Sequence, residues 1–250
     1  MNPQRNAAKR TAKTPEYSLG SLKGSLLFAN LSDEEVAIFQ NAARYLAYKK
    51  DKILYLQAES ASNFYVICSG WIKLFHTLPE GEEVIVDMLT TGHIVGESAI
   101  FDHGCYTSSA QIVSAAHLLS IPLKVLKEQI YLNPRLAFNM LTSMSQHHRR
   151  HYGAIALNAL QNAPQRIGCF LLSLCPEDKT KAAIFHFPYD KALVAKTLGM
   201  NNATFSRALN ILRQKTGIRI TGDRVEIDRV LQLVKFVYGD LSVKYMPAEM

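Results

Sequence analysis

PYDKALVAKTLGMNNATFSRALNILRQKTGIRITGDRVEI, residues 188–227, is the stretch on which the reading of this chain turns. Asp190 is a good N-cap for a first helix running to about Leu198, with Leu193, Val194 and Leu198 as its buried positions. Ala195 is small enough to let a second helix cross closely, and Gly199 supplies the backbone freedom of a tight turn. Asn201 can cap the second helix, which buries Phe205, Leu209 and Leu212 and leaves Asn202, Ala203, Ser206 and Arg207 on its early, opposite face. Beyond it, Ile218 and Ile220 answer Val225 and Ile227 around Thr221-Gly222-Asp223, the pattern of a β-hairpin. Two helices about a tight turn with a hairpin after them predict a winged helix-turn-helix, whose second helix reads base edges with its N-terminal residues. Arg207 suits the bidentate pair to guanine O6 and N7, worth about 1–3 kcal/mol of discrimination. Ser206 can serve a base or a phosphate, Thr204 and Lys196 suit backbone contacts, and Asn201, Asn202 and Ala203 complete the expected DNA-binding set.

Working upstream, residues 134–161 carry a helical period, with Leu141, Met144, His148, His151, Ile155 and Asn158 recurring at intervals of three and four. At 1.5 Å per residue such a helix reaches about 40 Å, too long to pack only on its own small domain. The economical partner for its mixed apolar stripe is the same helix of a second copy, so Leu141, Met144, His148, His151 and Ile155 are the expected homodimer interface. His148 and His151 could also meet their symmetry mates in a pH- or metal-responsive seam, although a solvated mixed-charge stretch explains HHRRH equally well. Pro164 marks a boundary, after which come a second helical run, Arg166 to Leu174, and the loop CPEDKTK.

From about Leu46 to Leu123 the texture is that of strands: DKILYLQ, NFYVICSG, WIKLFHTL, EEVIVDML and AQIVSAAHLLSI, rich in β-branched and aromatic residues. Turn chemistry at Pro79-Glu80-Gly81, Thr91-Gly92 and Asp102-His103-Gly104 divides them too closely for crossover helices, which predicts an antiparallel sandwich or barrel. A short helix precedes them, with Ser32 or Asp33 as cap and Val36, Ile38 and Phe39 as apolar positions. The expected order is a disordered basic arm (1–20), an antiparallel β-roll sensor (21–133), a dimerisation helix (134–163), a winged helix-turn-helix (164–240) and a tail (241–250), an α+β chain.

Charge follows this division. Residues 1–24 hold five Lys/Arg against one Glu, residues 25–163 ten against twelve acids, and residues 164–250 thirteen against eight, within a net charge of +7. A mildly acidic middle between basic ends suits a body with a separate polyanion-binding region. The basic N-terminus lacks an apolar signal core, and no stretch approaches 18 consecutive apolar residues, so a cytoplasmic location without a membrane partner is expected. Cys68, Cys105, Cys169 and Cys175 are scattered without zinc or iron–sulfur spacing, so no metal site is expected. No P-loop, Gly-x-Ser-x-Gly or His-Glu-x-x-His occurs, and no paired carboxylates suggest acid–base chemistry, which argues against an enzyme.

Three stretches carry a resemblance. YKKDKILYLQAESASNFYVICSGWIKL (48–74), TTGHIVGESAIF (90–101) and KTLGMNNATFSRALNIL (196–212) resemble the opening of the β-roll, the Gly-Glu turn and the recognition unit of the CRP/FNR family of bacterial regulators. The resemblance spans about residues 25–240 and implies a cyclic-nucleotide-binding-like roll. It implies also a homodimer on an inverted-repeat site in double-stranded DNA, acting with RNA polymerase. Gly96, Glu97, Ser98, Thr107 and Ser108 fall on the family's effector pocket. In members that bind cyclic nucleotides, an arginine holds the phosphate; that position falls here on Thr107, which argues against cyclic AMP. The N-terminal cysteine cluster of oxygen-sensing members is missing, which argues against an iron–sulfur cluster. Ala203 stands where many members place a glutamate, implying an altered site preference. ATFSRAL is closest in wording to the nitric-oxide-responsive dissimilatory nitrate respiration branch, which makes haem a candidate cofactor. His76, His93, His103, His117 and His147 stand beside His148 and His151 as the histidines to consider. Two alternatives stand beside this reading: a cyclic-nucleotide-binding module that serves a partner without DNA, and a constitutive regulator whose roll senses nothing.

Overall fold

In the computed structural model, the strand-rich stretch becomes two antiparallel four-stranded sheets, because strands only a turn apart have no route except to pair with or cross to near neighbours. The structure describes residues 20, 22–160, 162–175, 182–187 and 190–239, leaving aside the side chains of residues 147 and 149–160. The arm before residue 20, most of the CPEDKTK loop, the tail, and the side chains of His147, His151, Ile155 and Asn158 lie outside the described residues. The chain divides into two compact units between His148 and Arg149.

In the first unit, one sheet runs in the order β1 (Arg44–Tyr48), β8 (Ala116–Pro122), β3 (Asn63–Ser69), β6 (Ile94–Val95). The other runs β2 (Ile53–Tyr55), β7 (Ser109–Ile112), β4 (Ile72–Thr77), β5 (Glu83–Leu89). AQIVSAAHLLSI is therefore two strands in different sheets, where the sequence reads as one run. The chain changes sheet at residues 113–115, where Ser114 Oγ accepts from the Trp71 amide at 3.0 Å, beside the matching crossover at Gly70 between β3 and β4. Two further corrections concern helix and strand. Leu123–Leu132 is a helix (α2) at the end of the expected strand region, with Leu123 and Leu126 buried, and Ile94–Val95 is a short strand inside an expected turn.

Ahead of the sheets lie a 3-10 turn (Leu26–Phe28) and α1 (Asp33–Ala42). Ser32, not Asp33, is the cap: its hydroxyl accepts from the Glu35 amide while Glu35 Oε2 accepts from the Ser32 amide at 2.7 Å, a reciprocal capping box. One buried cluster joins Leu22, Leu27, Phe28, Val36 and Phe39 with sheet residues such as Ile67, Ile72, Ile112 and Leu118 and with Leu136 and Met140 of the long helix α3 (Pro134–Leu160). Helix α3 has the bounds its period implies, and buried Leu136, Asn139 and Met140 turn one side of its start to the roll.

The second unit starts at Arg149, within α3, and its first whole helix is α4 (Ala163–Leu174). That helix starts before the expected Arg166, because Asn162 and Gln165 form another capping box and Pro164 is tolerated in a first turn that has no N–H partner to lose. Strand β9 (Ala183–His186) pairs with β11 (Arg224–Ile227), which pairs with β10 (Arg219–Thr221), so the expected hairpin is the larger part of a three-stranded sheet. Between them come α5 (Lys191–Thr197) and α6 (Asn202–Thr216), and α7 (Val230–Tyr238) closes the unit. Phe205, Leu209 and Leu212 are buried as expected. In α5, however, Val194 and Ala195 are buried while Leu193 and Leu198 are only half-buried. The small Ala195 is fully inaccessible, and the leucines on either side of it are only partly covered.

Phe39 is essentially inaccessible and meets Phe28 edge-on, ring centroids 5.0 Å apart. Phe39→Ala is expected to destabilise the first unit by about 3–5 kcal/mol, read as a fall in its urea midpoint; an unchanged midpoint would contradict this packing.

Candidate functional site

The Gly-Glu turn is built by backbone before it is built by side chains. Gly96 adopts φ +84°, and a Cβ there would stand 2.8 Å from Cε1 of Tyr106, so only glycine lets that ring close over the turn. Glu97 opens the 3-10 turn that follows and is partly buried. Ser98 Oγ lies 3.5 Å from Thr107 Oγ1, so the fold brings Gly96, Glu97, Ser98 and Thr107 together, with Ser108 buried beside the exposed Thr107.

The neighbours that sequence reasoning missed are tyrosines. Tyr55 and Tyr106 stack with centroids 3.7 Å apart, Tyr65 lies 6.2 Å from Tyr55, and all three are buried. The Tyr106 hydroxyl donates to the Asn63 carbonyl at 2.7 Å. Burial pushes the Tyr65 hydroxyl above its ordinary range, raises Tyr48 to about 12, and lifts the Glu97 carboxyl to about 7, partly offset by a backbone hydrogen bond. The signal was available in part: Tyr48, Tyr55 and Tyr65 all lie within residues 48–74, but their convergence with Tyr106 is long-range.

These groups do not fit a cyclic nucleotide. The turn offers hydroxyls and a carboxyl where a phosphate needs a cation, and stacked phenol rings stand behind it. Lys73, buried on β4, is committed to Glu83 at 2.6 Å. Haem would take an axial histidine facing an apolar pocket. His76 Nδ1 bonds Gln57 at 2.9 Å, His93 Nδ1 faces the Thr90 carbonyl at 3.0 Å, and His117 Nδ1 bonds Ser69 at 3.0 Å while its ring stacks on Tyr45. Each of these bonds is made by Nδ1, the nitrogen that a histidine ligating through Nε2 also commits to a neighbour.

In the second unit, Asp190 Oδ1 accepts from the Leu193 amide at 2.9 Å and caps α5. Gly199, at φ +62°, makes the turn, and Asn201 Oδ1 accepts from the Thr204 amide at 2.8 Å to cap α6. Its early face presents Asn202, Ala203, Ser206 and Arg207 to solvent, with Thr204 half-buried and Lys196 exposed in the last turn of α5. Arg207 Nε donates to the Ala203 carbonyl at 3.4 Å, holding the guanidinium along its own helix. On the sheet, Arg219 grips Asp228 with two bonds, 2.7 and 2.9 Å, and Arg224 meets Glu226 at 2.8 Å. Those arginines are already engaged, whereas the α6 face has Arg207 on a backbone oxygen. Of the expected interface residues, Leu141, Met144 and His148 are exposed on α3.

Comparison with known proteins adds the following. Residues 45–133 match the cyclic nucleotide-binding domain. The chain is 25% identical over 218 residues to the cyclic AMP receptor protein of Thermus thermophilus, covering 87% of this chain and 99% of that protein. It is 26% identical over 223 residues to the transcriptional activator protein FnrA of Stutzerimonas stutzeri, covering 88% and 90%. A solved structure from Ruegeria pomeroyi, described as cyclic nucleotide binding, superposes with a TM-score of 0.65 at 29% identity over 90% of this chain and 99% of that one. FixK2 from Bradyrhizobium japonicum shares the fold, with a TM-score of 0.67 at 17% identity over 77% and 96%.

Glu97 yields a pH prediction. Its folded pKa lies above the ordinary value, so between pH 4.5 and about 7 the folded state holds a proton that the unfolded chain has lost, and stability falls as pH rises through that window. Glu97→Gln should flatten that dependence of Tm. A wild-type Tm that rises across the same window would overturn the assignment.

Proposed function

The chain belongs to the CRP/FNR family of transcription regulators, and on that premise we propose that it works as a homodimer on an inverted-repeat site in double-stranded DNA. Residues 164–240 form the winged helix-turn-helix, residues 134–163 the dimerisation helix and residues 21–133 the sensor, in a cytoplasmic protein that acts with RNA polymerase. What carries the reading is the early face of α6: an Asn201-capped, 15-residue helix with Asn202, Ala203, Ser206 and Arg207 exposed at its entry. A helix of this kind enters the major groove N-terminus first. Arg207 leaves its helix carbonyl to take guanine O6 and N7, Ser206 bonds a base or phosphate, and Lys196 with Thr204 contacts the backbone. Ala203 cannot accept from cytosine N4 and favours a thymine methyl at that step. The exposed Leu141, Met144 and His148 meet their counterparts on a second copy.

The signal is one other than cyclic AMP. In a dimer the α3 helices set the spacing of two recognition helices, which must enter successive grooves about 34 Å apart. A small rotation at the seam therefore changes affinity. The tyrosine stack behind Glu97 favours a second reading, in which the roll holds no effector and the protein binds DNA constitutively. Purified protein that binds its site without additive, and no more tightly after exposure to cell extract, would select that reading.

Selection from a random duplex pool should recover an inverted repeat with a guanine in each half-site. Arg207→Ala should abolish preference at that guanine, a loss of about 1–3 kcal/mol per half-site, while Ala203→Glu should shift the adjacent preference towards cytosine. Recovery of no duplex would refute DNA binding, and unchanged relative affinities in Arg207→Ala would refute the role of that residue.

A further inference from the structure

The chain ahead of the β-roll is tied to the start of α3 by polar contacts that apolar packing alone would not require. Asn139 is buried on the roll side of α3, and both hydrogens of its amide are spent on one turn: Nδ2 donates to the Leu27 carbonyl at 3.0 Å and to the Ala29 carbonyl at 2.8 Å. One helical turn earlier, Arg135 Nη1 donates to the Asn30 carbonyl at 2.7 Å, and Asn30 holds φ +58°, a conformation in which few non-glycine residues persist without support. Asn133 then links two helix starts. Its Oδ1 accepts from the Arg135 amide at 3.0 Å, capping α3, while its Nδ2 donates to Glu35 Oε1, and the other oxygen of Glu35 caps α1 through the Ser32 amide. At its other end the same segment touches the sensing turn: a Cβ on Gly92 would stand 3.2 Å from the Gly24 carbonyl, four residues ahead of Gly96.

We propose that Asn139 is a positioning residue for DNA binding: through Leu27 and Ala29 it fixes the rotation and register of α3 against the roll, and residues 22–35 couple the Gly92–Glu97 turn to that helix. Leu136 and Met140 supply burial, but an apolar contact tolerates a slide or a roll of the helix. A carboxamide reading two carbonyls of one turn does not, because a one-residue shift rotates it about 100° away from both. Helix α3 continues from this clamp to Leu160, so its seating sets the geometry a dimer presents to DNA. This role rests on the DNA-binding reading above; the clamp itself does not.

The test uses Asn139→Leu, close in volume and unable to donate, in the full-length protein. Amide exchange at residues 22–31 and 134–146 is expected to quicken at least about tenfold, and affinity for the duplex recovered by the wild type to fall about tenfold, within the usual range of coupling between sites. Relative preference among variant duplexes should stay as in the wild type, since no base contact is touched. Quickened exchange with unchanged affinity overturns the positioning role, and unchanged exchange overturns the clamp. Should Asn139→Leu fail to fold, Arg135→Ala removes one exposed contact and should move both readouts the same way by about threefold; no movement in either overturns the proposal. If the wild type selects no duplex, the DNA-binding reading fails and the positioning role falls with it, while exchange in the free protein still decides the clamp.

Discussion

Two four-stranded antiparallel sheets share a single buried cluster with the helices around them, and the demands of that shared interior propagate through the first unit. Burying both sheets takes the chain back and forth between them, with direct strand-to-strand crossings at Gly70 and at residues 113–115, which is why a continuous apolar run is cut into β7 and β8. It requires the short β6 to end in a left-handed glycine so that the Tyr106 ring can close over the turn. It also draws Leu22, Leu27, Phe28 and the first turns of α3 into the same cluster, so the start of the long helix is a part of the first unit's own core.

The polar groups at the edge of that interior give the site its character. A carboxyl raised to about 7, a set of phenols and two facing hydroxyls make a hydrogen-bonding environment whose carboxyl is about half ionised near pH 7. Stacked tyrosines stand behind the turn, each phenol carrying the cost of its own desolvation unless its hydroxyl finds a partner, as Tyr106 does at Asn63.

In the second unit the division of labour is electrostatic. Arg219 and Arg224 cross-brace the sheet with Asp228 and Glu226, exposed pairs that add little stability but occupy charge. Arg207, by contrast, leans on a backbone carbonyl at 3.4 Å, a weaker hold than a carboxylate gives. The sheet thus has these two arginines braced by acids, while α6 has Arg207 on its own helix.

What was legible in the sequence alone is what short-range chemistry dictates. The caps at Asp190 and Asn201, the turn at Gly199, the burial of Phe205, Leu209 and Leu212, and the bounds of α3 all depend on residues within a few positions of one another. Val194 is buried as expected, but Ala195 takes the place of Leu193 and Leu198 beside it, because a short helix is oriented by what packs on it, not by its own apolar count. Strand β9's pairing, the tyrosine stack and the hold of Asn139 on residues 27 and 29 were decided only by tertiary structure. Each joins residues far apart in the chain, and periodicity carries no information about which distant partner will arrive. The caps, the turn and the hairpin of the second unit could therefore be read from residues 188–227, whereas the tyrosine stack and the seating of α3 against the sheets of the first unit required the fold.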